Sequence, residues 1–330
     1  MKQFLQKKAK LVFLCMLVLL TCTACANPRG RDGKTLADQI IASEETTIDA
    51  SKINYKDISD KKLKKEIKKN IKDGQYTIQP TTFKNSMSKG WFEGLIVWPI
   101  AQIINLISSK TDAGVGIILT TLLIQMLVFV FTRKSQMSTQ RMQEIQPEIQ
   151  KIQNKYKDKT DERSKMQMAQ EMQNLYQKYD IHPFGSMLIT FIQLPIMMGM
   201  YYATMRSVSV VSGSFMGISL AGTPLDGFKA FDIAYISIYV LMVIFYIVSM
   251  KLPQWLKKWQ DKKDNVKVKK YAQEETNPMA NSMNMSMYFM TAMICIMYIS
   301  WPMAMSFYWL VSSVIRVCQS LILHQVMNKK

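Results

Sequence analysis

One charge, Arg316, stands in the otherwise uncharged stretch Thr276–Val326. A charge held in a bilayer costs on the order of 2.5–3.5 kcal/mol even on the mildest scale, and such residues face wet cavities, partners or substrate paths. Arg316 lies on a stripe of Ser306, Trp309, Ser313, Arg316 and Ser320, spaced 3, 4, 3 and 4 and so sharing one helical face, with Gln319 beside it. Other apolar runs carry similar stripes: Ser186, Thr190, Gln193 and Tyr201; Asn284, Tyr288, Thr291, Cys295 and Tyr298; and Thr121 with Gln125. The chemistry these groups offer is noncovalent. They can replace the hydration that a polar segment loses on entering hydrocarbon. Hydrogen bonds between helices explain any single Ser or Thr. They do not explain Arg316. The nine residues from Arg316 to Gln325 cover about 14 Å of helix, roughly half of a bilayer core, so the residue is expected near mid-plane. No carboxylate lies in any span to pair with it. The stripes are therefore expected to converge on a hydrophilic space.

Five apolar runs, uncharged but for Arg316, must position these groups. They are expected as spans over 113–132, 183–205, 233–250, 281–300 and 303–326, the last two separated at Trp301-Pro302. Each approaches the roughly 20 residues a span requires, and proline suits the turn better than a helix interior. The chain carries 42 Lys/Arg against 24 Asp/Glu, a formal charge of +18. Its placement points to membrane topology rather than nucleic acid. Segments Arg133–His182 and Lys251–Glu275 hold 10 and 8 Lys/Arg, whereas the loop after the second span holds only Arg206 and Lys229. The positive-inside rule puts the two basic segments and the Lys329-Lys330 tail in the cytoplasm. Five spans with an outside N-terminus agree with that. The basic cytoplasmic segments leave room for contact with ribosomal RNA.

The N-terminus reads as a targeting segment. Lys2, Lys7, Lys8 and Lys10 precede the short apolar run Leu11–Leu20, as in a signal peptide. Cys22-Thr23-Ala24-Cys25 resembles a lipobox, with Cys22 where Leu is usual. The expectation is cleavage after residue 24 and a lipid on Cys25, tethering a polar external segment over 25–89. Within it KDISDKKLKKEIKKNIKD (56–73) reads as a solvated or membrane-surface helix with a thin stripe of Ile58, Leu63, Ile67 and Ile71. Residues 90–112 read as an amphipathic helix on the outer interface. Trp91 and Trp98 favour the headgroup region, and Glu93, Gln102, Asn105 and Pro99 argue against a further span.

Between the first two spans, 133–182 shows heptad spacing. Met142, Ile145, Ile149, Ile152 and Tyr156, then Met168, Met172, Leu175 and Tyr179, form two narrow stripes either side of a polar turn. An antiparallel helical hairpin is expected, with its first helix starting near Gln146 because of Pro147. Ile145, Ile149, Ile152, Tyr156, Met168 and Met172 are expected to contact a partner. Segments 206–232 and 251–280 read as an external loop and a basic cytoplasmic loop, and 327–330 as a cytoplasmic tail.

The 27 methionines could suggest copper(I). They are scattered around their helices without a His or Cys pair, and a flexible apolar surface for varied partners fits better. His182 and His324 read as interfacial residues at span ends. Cys295 and Cys318 lie in different spans and suggest no disulfide framework. No nucleotide loop, catalytic triad or metal-ligand spacing occurs, so no cofactor, metal or enzymatic activity is expected.

Three blocks, MQEIQPEIQKIQNKY (142–156), LYQKYDIHPFGSMLITFIQLPIMMGMYYATMRS (175–207) and PMAMSFYWLVSSVIRVCQ (302–319), stand in this order on the five-span layout. With them the sequence resembles the YidC/Oxa/Alb family of membrane protein insertases from about Gly90 to its end. The lipobox and small external segment resemble the branch of single-membrane bacteria. The resemblance implies an all-α membrane protein. Its five transmembrane helices enclose a hydrophilic groove that opens to the cytoplasm and to lipid. It implies nascent membrane proteins as substrates, delivered by translating ribosomes, with the hairpin as receiver, and work alone or beside the secretory channel. The family places an arginine in the first span at the position of Gln125, 21 residues before Gln146; here that site is neutral, and Arg316 stands where the family is usually uncharged.

The expected activity is therefore insertion of membrane proteins into the cell membrane, with the lipid bilayer as partner and no small-molecule substrate. Arg316, Gln125, Gln193, Thr121, Thr190, Ser186, Ser313, Tyr288 and Trp309 are expected to line the groove. A dedicated assembly chaperone that does not itself insert, and a solute transporter, are the alternatives. Transporters often show internal repeats and broken helices, and neither occurs here.

Overall fold

The computed structural model describes residues 28–157, 159, 161–181, 184–263, 289 and 291–328. The expected signal segment, Cys25, Asn284 and Tyr288 lie outside these residues, as do the side chains of Ser186 and Thr190. In chain order the elements are β1 (Thr35–Leu36), β2 (Thr46–Asp49), β3 (Ile53–Asn54), α1 (Lys61–Asn70), β4 (Gln75–Ile78), α2 (Phe83–Lys89), a π-helical turn (Glu93–Val97), α3 (Trp98–Ser108), α4 (Ala113–Glu144), α5 (Gln146–Lys155), α6 (Glu162–Lys178), α7 (Phe184–Arg206), α8 (Val208–Ser212), β5 (Ser214–Phe215), β6 (Ile218–Ser219), α9 (Pro224–Ala230), α10 (Ile233–Lys263) and α11 (Met303–Asn328). Residues 291–298 are also helical.

Among the described residues three helices are long and apolar enough to cross a membrane: Ala113–Met142, Ile233–Gln260 and Met303–Val326. They cover the expected first, third and fifth spans. The expected second span falls on α7, a 23-residue helix with Pro195 inside it. Two helices continue well past the span limits drawn from charge, α4 to Glu144 and α10 to Lys263. The onset of basic residues marks where a helix meets water, not where it ends. Nothing between Arg133 and Glu144 breaks a helix, and Pro147 is the next proline.

The chain divides into two compact units. The first takes residues up to Thr120 with Leu194–Gly222 and Pro302–Met305. Its N-terminal part departs from the sequence reading. Residues 28–82 are more than a polar segment: they fold with short strands, which join an otherwise mostly helical chain. β1 pairs with β3 in parallel, β2 with β4 antiparallel, and β5 with β6 antiparallel. α1 is capped by Asp60, whose carboxylate accepts from the backbone of Lys62 and Leu63. Its apolar stripe does not lie on a membrane: Ile58 and Ile67 join Ile40, Ile48, Ile53, Ile78, Val208 and Val211 in a core, with Leu63 packed against it. Strands of two to four residues are too short to display alternation, which is why they escaped the sequence reading. The turn into β4 was legible: Asp73 (φ 47) and Gly74 (φ 75) form the two-residue Asp-Gly turn that favours a hairpin.

This module is fixed to the rest of the first unit through Ile41. Its N–H donates to Arg206 O (2.6 Å), while its carbonyl accepts from Val208 N (3.0 Å) and from Asn105 Nδ2 (2.8 Å). Asn105 Oδ1 in turn accepts from Ser207 Oγ at 2.6 Å and from Ser209 N. Gln102 donates to Ala42 O and Thr81 O. Glu93 forms a buried ion pair with Arg206, whose guanidinium lies 5.3 Å from the Tyr202 ring centroid. So all three polar side chains that argued against a span at 90–112 bind protein. Trp91, Leu95 and Leu106 remain exposed, the face an interfacial helix offers to lipid. Close approach to α7 requires Gly199, where a Cβ would come within 2.5 Å of Ile96.

The second unit takes Thr121–Gln193, Thr223–Trp301 and the chain from Ser306. In it α5 packs against α6. Their side-chain bonds, Tyr179 Oη to Glu148 (2.6 Å), Tyr156 Oη to Glu171 (2.9 Å) and Lys155 Nζ to Glu171 (2.5 Å), pair rising with falling residue numbers, so the two helices run antiparallel. Ile145, Ile149, Leu175 and Ile181 form the core between them, with Ile152 and Met172 packed against it. This narrows an expectation. Ile145 and Ile149 are buried in the hairpin's own core and Tyr156 is buried too, while Ile152 and Met172 are half-buried; a two-helix stripe must first cover itself, so little of this one is left for a partner. Met168 is half-buried and Met166 is exposed.

Candidate functional site

The second unit gathers a polar cluster on α11. Gln125 from α4 donates to Ser312 Oγ at 3.2 Å, both side chains buried. Arg316 Nε donates to the carbonyl of the same Ser312 at 3.3 Å. Gln193 from α7 donates to Tyr308 Oη at 3.1 Å. Tyr308 and Ser312 are one turn apart, and Arg316 is one turn further, so a single edge of α11 receives all three side chains. Helical side chains lean toward the N-terminus, and Arg316 does so, returning its guanidinium toward the level of Ser312. That brings Arg316 and Gln125 to the same level of α11, at Ser312.

Trp309 forms the second edge. The Arg316 guanidinium carbon lies 5.5 Å from its ring centroid. Tyr298, from 291–298, stacks on the indole at 4.9 Å and 29°. Tyr246 of α10 meets it edge-on at 6.2 Å and 87°. Tyr239 Oη donates to Cys295 O at 2.7 Å, tying α10 to the same segment. Trp309 and Ser313 are buried, and Arg316 is half-buried. Among the described residues Trp309 Nε1, Ser313 Oγ and Arg316 Nη2 are buried atoms without a hydrogen-bond partner. Such atoms are costly in a sealed interior and call for an explanation. Thr121 is fully buried in α4.

Of the expected site residues, Arg316, Gln125, Gln193, Ser313 and Trp309 therefore come together around α11. Tyr308 and Ser312 were missed, although they make the closest contacts. A signal existed: Tyr308, Ser312 and Arg316 recur at intervals of four, a stripe adjacent to the one chosen.

The hairpin has electrostatics of its own. Its bond to Glu148 pushes the Tyr179 phenol up to about 12. Lys155 and Tyr156 bonded to Glu171 hold that carboxyl below its usual range.

Long apolar helices that keep an arginine and two glutamines in hydrogen-bonded contact define a multi-pass α-helical membrane protein with a polar interior surface. Residues 105–330 match the family model described as 60Kd inner membrane protein. The chain is 31% identical over 237 residues to membrane protein insertase YidC 1 of Streptococcus pyogenes serotype M6, covering 72% of this chain and 75% of that one. It is 30% identical over 237 residues to membrane protein insertase YidC of Enterococcus faecalis, covering 72% and 76%. With membrane protein insertase MisCA of Bacillus subtilis the identity is 27% over 238 residues, covering 72% and 80%. The chain belongs to the YidC/Oxa/Alb family. The β-containing module over 28–82 precedes the matched region.

Proposed function

We propose that this chain, a membrane protein insertase, works by lending its buried polar groups to the polar segment of a substrate while the apolar segment leaves into lipid. The observation that carries this reading is the set of unpartnered atoms around Arg316, next to two glutamines bonded to the same helix. A guanidinium offers five N–H donors, and Ser312 O takes only Nε. A nascent membrane protein entering from the cytoplasm supplies acceptors that replace part of its lost hydration. Its apolar segment then partitions into lipid, driven by burial worth about 25 cal/mol per Å². No covalent bond is made or broken, so the chain is not an enzyme in this reading.

Five spans enclose the groove, with the N-terminus outside and the hairpin and C-terminus in the cytoplasm. The hairpin receives substrate from translating ribosomes through its outer, basic faces rather than through its apolar stripe. The chain works alone or beside the secretory channel. A lipid on Cys25 holds the external module at the membrane. The groove charge has moved from the first span, where Gln125 is neutral, to Arg316 on the last.

Photocrosslinking tests this. A photoreactive residue placed at Gln125, Gln193 or Arg316 should capture a stalled nascent membrane protein, whereas one at the outward-facing Val314 should capture lipid. Capture at Val314 alone would end the proposal.

A further inference from the structure

We infer that Tyr298 is a positioning residue for the insertase, acting through Trp309 to hold the Arg316 guanidinium in place; the inference rests on the function proposed above. Among the described residues Arg316 has one hydrogen bond, Nε to Ser312 O, and a single bond through Nε holds the guanidinium plane weakly. The indole beneath it fixes that plane. Trp309, however, is not itself fixed by a hydrogen bond, because Nε1 has no partner among the described residues. Its ring is held by neighbouring rings. Tyr308 meets it edge-on at 5.5 Å but is the adjacent residue of the same helix. Tyr246 meets it edge-on from α10. Among the described rings Tyr298 is the one stacked on it, with the planes 29° apart, and face contact is what prevents a flat ring from tilting.

Tyr298 is suited to this because it is anchored. It is 5% exposed and ends the helical segment 291–298. Its carbonyl accepts from Trp301 N at 3.1 Å, and the Trp301 ring lies 5.0 Å from its own. The next carbonyl, Ile299 O, accepts from Leu225 N at 2.9 Å in the first turn of α9. That turn is closed by the reciprocal Thr223–Asp226 cap. A chain of contacts thus runs from a capped helix through Tyr298 and Trp309 to the guanidinium.

The test uses the full chain in liposomes and two readouts. Dicarbonyl labelling of Arg316, read by mass spectrometry, needs no insertion activity. Insertion of a two-span protein reports function. Tyr298→Leu should raise Arg316 labelling about two- to tenfold, the size of a lost aromatic pair, and slow insertion. Tyr298→Phe should restore both to the wild-type values. In an Arg316→Gln background, Tyr298→Leu should slow insertion no further. Should Tyr298→Leu not accumulate, Tyr298→Met, without a ring, decides the same question. Unchanged labelling in the ringless variant would overturn the inference. So would a Phe variant as impaired as Leu, or a further loss of insertion without Arg316. If Arg316→Gln itself inserts normally, the proposed function fails while the labelling result still decides the role of Tyr298.

Discussion

Gln125 and Arg316 meet on Ser312: the glutamine amide donates to its hydroxyl at 3.2 Å and the guanidinium to its carbonyl at 3.3 Å. The neutral residue on α4 and the charged residue on α11 are thus two parts of one polar surface. Both side chains reach Ser312, and on that contact rests the proposal that Arg316 takes over a charge expected at position 125.

The Gln125–Ser312 contact should be measurable by itself. Removing one partner strands a buried polar group, whereas removing both does not. Gln125→Leu and Ser312→Ala should each lower thermal stability in detergent, and the double variant should lose less than their sum. Hydrogen bonds between membrane helices average about 0.6 kcal/mol, with a maximum near 1.7 kcal/mol, so the coupling should fall in that range. Additive losses would show that the two side chains do not interact.

The Glu93–Arg206 pair should behave as a buried ion pair, with both groups under a tenth exposed. Glu93→Gln removes the arginine's paired carboxylate and leaves the Asp38 charge as its Coulombic support, so the cost should fall toward the lower end of about 3–5 kcal/mol. The double variant Glu93→Met with Arg206→Met should recover most of that. Scanning fluorimetry of the purified chain reads both, and a Glu93→Gln variant as stable as wild type would contradict the pairing.

These two contacts show what sequence could and could not reveal. Arg316 was legible because one charge among uncharged residues has no cheap place in hydrocarbon. Glu93, Gln102 and Asn105 were legible as reasons against a span. Their partners, Arg206 and the carbonyls of Ile41, Ala42 and Thr81, depend on a module whose strands are too short to show a period. Ser312 was passed over because the stripe followed on that helix runs through its neighbour Ser313. The hairpin stripes were legible as helical, but their packing was not: spacing alone does not say whether a stripe meets its own hairpin partner or another protein.

Acid should loosen the hairpin. The Glu171 carboxyl is held below its usual range by Lys155 and Tyr156. A depressed folded-state pKa contributes stability above the unfolded value, near 4.5, and loses it as pH falls through the folded one. Hydrogen exchange over α5 and α6, corrected for intrinsic rates, should therefore quicken below about pH 4.5. Glu171→Gln should remove part of that dependence. Both residues are solvent-accessible, so the effect should be small and weaken in salt. The same pH dependence in wild type and Glu171→Gln would disprove it.

Lipidation at Cys25 is tested by mass. The mature N-terminal peptide should begin at residue 25 and carry a lipid, and Cys25→Ser should abolish both the lipid and the cleavage. An unmodified peptide starting elsewhere in the wild-type chain would remove the lipid tether from the account.

The most direct test of the central claim is insertion of a two-span protein into liposomes holding only this chain. Wild type, Arg316→Ala and Gln125→Arg with Arg316→Ala are compared. A hydrogen bond to a charged group is worth about 1.5–3 kcal/mol, so Arg316→Ala should slow insertion about tenfold or more. Moving the arginine to residue 125 should restore much of the rate. If Arg316→Ala inserts as well as wild type, the guanidinium serves no substrate; if the wild-type chain inserts nothing, it is an assembly factor and the mechanism proposed here is wrong.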